Sequence, residues 1–202
     1  MSRKGIGSAG RNYPDTKIKP ASTALSIWVV IYFLQGGFVT FQACCWPNAA
    51  NSLLQVGGVG LWFAGACLCN CLWIIVYVEG TIVSLWVSTG LLFALLACIL
   101  KIYVNCGNWK TSRCINEEDH LLTMLLVTLF DGHFSMYAAW CTVACIITTS
   151  TALNTTGWSF GDASVWAAAM LTAAFCVNVA VVITRQDFVF PAVLCWSCHC
   201  SR

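Results

Sequence analysis

Two side chains in the apolar run from Val59 to Val78, Asn70 and Trp73, have the chemistry to bind a molecule inside a membrane. They are three residues apart, so a helix places both on one face. A carboxamide in apolar surroundings costs a few kcal/mol unless it is hydrogen-bonded. We therefore expect this face to point into a helix bundle and not toward lipid tails. The same pattern fits a simpler role, in which Asn70 only hydrogen-bonds one helix to another.

Two pairs of aromatic residues also have helical spacing within apolar runs. Trp28 and Tyr32 are four residues apart, and Tyr137 and Trp140 are three apart. Tryptophan is often found where a helix crosses the membrane surface. Trp28, Trp73 and Trp140 lie too far inside their runs for that explanation. These aromatic faces are therefore candidates for an interior cluster.

Asp131 and His133 have the chemistry to handle protons as a pair, although we expect Asp131 to cap a helix and His133 to be a solvated side chain near the membrane surface. No nucleophile–base pair is readable, so we expect no enzymatic activity and no catalytic residues.

The segment with Cys195, Cys198, His199 and Cys200 resembles a metal clip. Its spacing does not match a zinc site and no second half is evident, so we expect no metal and no resident cofactor.

Composition places the chain in the bilayer. Of its 202 residues, 59% are hydrophobic and 9% are charged, whereas a soluble domain carries about 25% charged residues. Most of the 14 cysteines lie inside apolar runs, where cysteine acts as a small hydrophobic residue. A net charge of +2 does not favour nucleic acid as a partner. We expect an integral, multi-pass membrane protein that contacts lipids, and the sequence leaves open which membrane holds it.

The elements that carry these residues are predicted from the lengths of the apolar runs. Residues 1–20 form a basic polar tail, and residues 21–200 form a single all-α transmembrane domain. We predict five transmembrane helices, at about residues 24–44, 58–78, 81–104, 134–153 and 163–184. Two shorter segments, residues 121–130 and 188–200, are predicted to be interfacial or re-entrant, since each is too short to cross. Small residues on the helix faces are compatible with a homodimer.

Several of these stretches, taken in order, resemble the TspO family, or tryptophan-rich sensory proteins, in its longer bacterial-type branch. The family is also known as translocator protein or peripheral-type benzodiazepine receptor. The resemblance covers roughly residues 20–196. The stretches that carry it are Leu25-Ser-Ile-Trp28-Val-Val-Ile-Tyr32, Asn70-Cys-Leu-Trp73, Ser84-Leu-Trp86, Phe134-Ser-Met-Tyr137-Ala-Ala-Trp140 and Gly157-Trp158. The chain departs from the family pattern at His133, where the family has proline.

The resemblance implies a compact helical bundle with an aromatic pocket between its helices. The residues that it assigns to ligand binding are Trp28, Tyr32, Asn70, Trp73, Tyr137 and Trp140. It also implies a non-enzymatic receptor or carrier for an amphipathic aromatic or lipid-like ligand of the porphyrin or sterol class. The alternative is a structural or assembly subunit of a membrane complex without a small-molecule ligand.

Overall fold

The computed structural model describes residues 26–44, 59–113, 120–157 and 163–199, and within these ranges every regular element is a helix. The predicted all-α class is therefore confirmed, while the predicted tail over residues 1–20 lies outside the described residues. The helices are α1 (Ile27–Cys44), α2 (Val59–Val78), α3 (Ile82–Arg113), α4 (His120–Thr155), α5 (Ala163–Arg185) and α6 (Val189–His199).

Four of the described helices contain stretches long and apolar enough to cross a membrane. These stretches are Val59–Val78, Ile82–Cys106, Asp131–Thr155 and Ala168–Arg185, and a shorter apolar stretch of α1 covers Ile27–Thr40. Lipid offers no hydrogen bonds to the backbone, so a crossing segment must form its hydrogen bonds within itself, as a helix does. The chain is thus an integral, multi-pass helical membrane protein.

Helix α4 corrects one of the sequence-based predictions. The sequence predicts a short interfacial helix over residues 121–130 and a separate span over residues 134–153, divided at Asp131-Gly132-His133. The structure has one uninterrupted helix of 36 residues through this region. A glycine inside a helix costs only about 1 kcal/mol. The residues after it, such as the fully buried Phe134, lie inside the bundle, where each backbone group left unpaired by a break costs several kcal/mol. The backbone hydrogen bonds of the continuous helix therefore outweigh the local signal for a break.

The central position in the bundle belongs to α4, which packs against α1, α3, α5 and α6. Most of its side chains between Asp131 and Thr155 are buried, whereas none of those between Ala168 and Arg185 on α5 is. Helices α2 and α3 form a tight antiparallel pair around the turn at Glu79 and Gly80, where Gly80 has a φ of 73°. Helix α5 thus lies at the periphery with apolar side chains available to lipid.

The end of α5 is joined to α3 and α6 by a small polar cluster. The Tyr103 hydroxyl donates a hydrogen bond of 2.6 Å to Asp187 Oδ2, and Asp187 Oδ1 accepts one of 2.8 Å from the backbone N–H of Val189. The Arg185 guanidinium lies 4.7 Å from the centre of the Tyr103 ring. Asp187 therefore begins α6 in the manner of an N-cap. Helix α6 has 11 residues, about 16 Å of rise, and is too short to cross.

The continuity of α4 predicts opposite effects for two glycine substitutions. Gly132→Ala should stabilise the fold by about 0.5–1 kcal/mol, because alanine is favoured inside a helix and its Cβ would lie 3.8 Å from Val189 Cγ2, an ordinary contact. Gly157 has a φ of 69°, so Gly157→Ala should cost about 1–2 kcal/mol. Reversible unfolding in mixed micelles, followed by circular dichroism, measures both. A destabilising Gly132→Ala would contradict the uninterrupted helix.

Candidate functional site: an aromatic and amide cluster between α1, α2 and α4

Helices α1 and α2 run antiparallel, and their side chains meet in matched steps. Trp28 stacks on Trp73, Asn70 bonds to Tyr32, and further along Phe38 contacts Phe63. From one contact to the next, the residue number increases on α1 and decreases on α2, as it does between antiparallel helices. The helical spacing of Trp28 and Tyr32 and of Asn70 and Trp73 therefore places the two pairs face to face.

The polar contact in this interface joins an amide to a phenol. Asn70 Nδ2 donates a hydrogen bond of 2.9 Å to the Tyr32 hydroxyl. Asn70 is buried, which agrees with the predicted inward orientation. Its other amide atom, Oδ1, is buried without a hydrogen-bond partner among the described residues. Asn70 therefore does join two helices, as the simpler interpretation expects, and it retains a free acceptor as well.

Trp28 is the centre of the aromatic contacts. Its ring stacks on Tyr32 and on Trp73, with centroid separations of 5.5 and 5.6 Å. The rings of Tyr137 and Trp140 on α4 meet it edge-on, at 6.0 and 6.2 Å. Offset stacking and edge-to-face contact are the arrangements that aromatic pairs prefer. All six residues singled out from the sequence thus meet in one place, which we call the Trp28 cluster: Trp28, Tyr32, Asn70, Trp73, Tyr137 and Trp140.

Several buried polar atoms of the Trp28 cluster have no hydrogen-bond partner in the described part of the chain. They are Asn70 Oδ1 and the indole Nε1 atoms of Trp73 and Trp140. A buried polar group without a partner costs about 1–3 kcal/mol. An indole nitrogen only donates and an amide oxygen only accepts. The cluster thus offers flat apolar surfaces together with two donors and one acceptor.

His133 is the residue for which the sequence-based expectation is wrong. The sequence suggests a solvated His133 beside an Asp131 that caps a helix. In the structure Asp131 lies inside α4 and His133 is 1% exposed. The imidazole ring lies 5.0 Å from the ring of Phe134 and 6.2 Å from that of Tyr137, measured between centroids. The spacing of His133, Tyr137 and Trp140 at i, i+4 and i+7 was the signal that could have placed His133 on the inward face.

A largely open cavity of about 500 Å³ lies beside the Trp28 cluster, between α1, α4 and α6. Its walls are apolar, and they include Ile27, Val30, Met136, Val189, Val193 and Trp196. No member of the cluster lines it, although Ile27 directly precedes Trp28. The cavity and the cluster therefore lie on different sides of the first turns of α1.

Metal binding finds no support in the described part of the chain, which holds no group of three His, Cys, Asp or Glu side chains able to bind a metal ion. In the segment that resembles a metal clip, the described side chains include Cys195 but not Cys198, His199 or Cys200. The segment is therefore only partly tested.

The architecture defines a class of protein: a multi-pass helical membrane protein with aromatic and amide side chains gathered between three of its helices. The TSPO-like protein family matches residues 1–199, and the chain belongs to this family. No curated protein and no solved structure matches the chain. Membership indicates a ligand-binding membrane protein in general terms, in a family whose members are generally not enzymes.

The bond between Asn70 and Tyr32 is expected to couple the two residues energetically. Tyr32→Phe should destabilise the protein by about 1–2 kcal/mol, because the buried Asn70 amide loses the hydroxyl to which it donates a hydrogen bond. In a double-mutant cycle with Asn70→Leu, the coupling should be about 0.6–1.7 kcal/mol. Unfolding of the wild type, both single variants and the double variant in micelles measures it. Thr142→Val is the control, since the Thr142 hydroxyl bonds within its own helix, to the Ala138 carbonyl. A coupling no larger than the error would contradict the bond.

Proposed function

We propose that the protein is a non-enzymatic membrane receptor or carrier, and that it binds an amphipathic aromatic or lipid-like molecule of the porphyrin or sterol class at the Trp28 cluster. The observation that supports this most is the meeting of six side chains from three helices around buried polar atoms without partners. Packing alone needs flat rings, but it does not need unpaired donors. A ligand gives those donors a role.

The chemistry of the cluster suits such a ligand. Binding sites for small molecules are mostly apolar, with a few polar groups that fix the orientation of the ligand. Here the faces of Trp28 and Trp73 would stack on a flat ring system, and Asn70 Oδ1 would accept a hydrogen bond from it. Tyr32 is 39% exposed, so the cluster borders the surface of the bundle. A ligand dissolved in the bilayer would reach it from that side.

Insertion of a flat molecule requires Trp28 to move away from Trp73, because the two rings are in contact. The cavity between α1, α4 and α6 offers room for that movement. Ile27 and Val30 on α1 line the cavity, so α1 can move toward it while α2 and α4 stay in place.

A structural or assembly role without a ligand is the second candidate. The observation that favours it is the direct contact among the rings, with centroids 5.5–6.2 Å apart around Trp28. In this case the cluster would be a packed core. The partner of such a scaffold could be a second copy of the chain, since the sequence is compatible with a homodimer. The two candidates differ in whether a flat amphipathic molecule binds with an affinity that depends on the cluster.

Titration with protoporphyrin IX tests the proposal. The purified protein in detergent should bind it with saturable quenching of tryptophan fluorescence. Trp73→Leu should weaken binding by up to about tenfold, as expected for the loss of a stacking contact of about 0.5–1.5 kcal/mol. The control is Trp86→Leu, because Trp86 lies on the exposed face of α3 and should leave the dissociation constant unchanged.

The test compares dissociation constants and not the amplitude of quenching. A bound porphyrin accepts energy from tryptophans throughout a bundle of this size, so the amplitude does not locate the site. Equal affinity in the wild type and in Trp73→Leu would rule out the Trp28 cluster as the site. Quenching no greater than that of free tryptophan would favour the structural role.

A further inference from the structure

His133 extends the inward face of α4 that carries Tyr137 and Trp140. It is 1% exposed, and neither of its ring nitrogens has a hydrogen-bond partner in the described ranges. A neutral imidazole has one nitrogen that donates and one that accepts. Both capacities are therefore unused close to one end of the apolar stretch Asp131–Thr155. Ionisable side chains placed in this way within membrane helices commonly mark functional sites.

The ring of His133 belongs to the same network of contacts as the Trp28 cluster. Its centroid lies 6.2 Å from that of Tyr137, and Tyr137 in turn lies 6.0 Å from Trp28. Four residues along a helix correspond to about 6 Å of rise. A molecule stacked on Trp28, with Tyr137 at its edge, would therefore meet the imidazole only through a substituent that extends beyond its ring system.

The unpaired atoms of this region also indicate what that substituent is. Trp73 Nε1 and Trp140 Nε1 are donors, Asn70 Oδ1 is an acceptor, and His133 provides one of each. Of these atoms in the described part of the chain, three donate and two accept, and the ring of His133 supplies one of each. A carboxyl group matches it in either protonation state, because a carboxylate accepts from the nitrogen that carries the proton and a carboxylic acid donates to the nitrogen that does not. An ester lacks the donor and the charge.

We propose that His133 is a specificity-determining residue, and that its imidazole hydrogen-bonds a carboxyl group which the ligand carries on a short chain. The proposal rests on the proposed function, because it assumes a ligand at the Trp28 cluster. It adds a selection rule: among flat apolar molecules, the protein prefers acids over their esters. A hydroxyl-bearing lipid without a carboxyl group would bind less tightly than a flat acid of similar size.

Pyrenebutyric acid and its methyl ester form a matched pair of probes, since both have a flat ring system and a chain long enough to cover one helical turn. Energy transfer from tryptophan to pyrene, with purified protein in detergent, gives a dissociation constant for each. The wild type should bind the acid about ten- to one-hundredfold more tightly than the ester, the range expected for a hydrogen bond to a charged group.

His133→Phe keeps an apolar ring and removes the hydrogen bonds, so it should abolish the preference by weakening binding of the acid far more than binding of the ester. His133→Gln keeps one donor and one acceptor and should restore part of the preference. Thr142→Val is the control on the same helix, because the Thr142 hydroxyl already bonds to Ala138 O, and it should retain the full preference. Binding of the ester also reports that each variant is folded.

The outcomes separate the two proposals. Equal binding of the acid and the ester by the wild type overturns the role of His133, whatever the variants do, and leaves the proposed function standing. A preference for the acid that survives in His133→Phe also overturns it, and assigns the carboxyl group to another residue. If the wild type binds neither pyrene probe nor protoporphyrin IX, the proposed function fails, and the role of His133 fails with it.

Discussion

The structure depends on a constraint that the membrane imposes: a polar group inside it is costly unless it is hydrogen-bonded. Asn70 carries such a group, and its hydrogen bond to Tyr32 fixes how α1 and α2 face each other. Once that bond is made, Trp28 lies over Trp73, since each is close in sequence to one of the bonded residues. One amide thus sets the register in which the aromatic faces of two helices meet.

Helix α4 supplies the third wall, and its continuity is part of the same arrangement. The glycine at 132 is a weak local signal, of about 1 kcal/mol. A break there would leave backbone groups unpaired next to the buried Phe134, at several kcal/mol each. Because α4 does not break, His133 keeps helical spacing with Tyr137 and stays on the inward face. An interrupted helix would have left it free to turn toward water.

Membership of the TSPO-like protein family and the geometry of the cluster lead to the same general conclusion, a ligand-binding membrane protein. The residues add chemical detail that the family alone does not give. Flat rings favour a flat ligand, and an excess of buried donors favours one that carries acceptors. The peripheral position of α5, with no buried side chain between Ala168 and Arg185, shows that the cluster is built without that helix.

The sequence by itself determined the membrane class, the approximate helices and the faces on which Asn70, Trp73 and the other aromatic residues lie, because hydrophobic length and helical spacing are local properties. It also identified the polar and aromatic side chains within the apolar runs whose position needs a structural or functional explanation. Only the tertiary structure decided that those faces meet around Trp28, that α4 runs through Asp131-Gly132-His133, and that His133 is buried against Tyr137. The physical reason is that these outcomes depend on packing and hydrogen bonds between helices distant in sequence, which a local pattern does not specify.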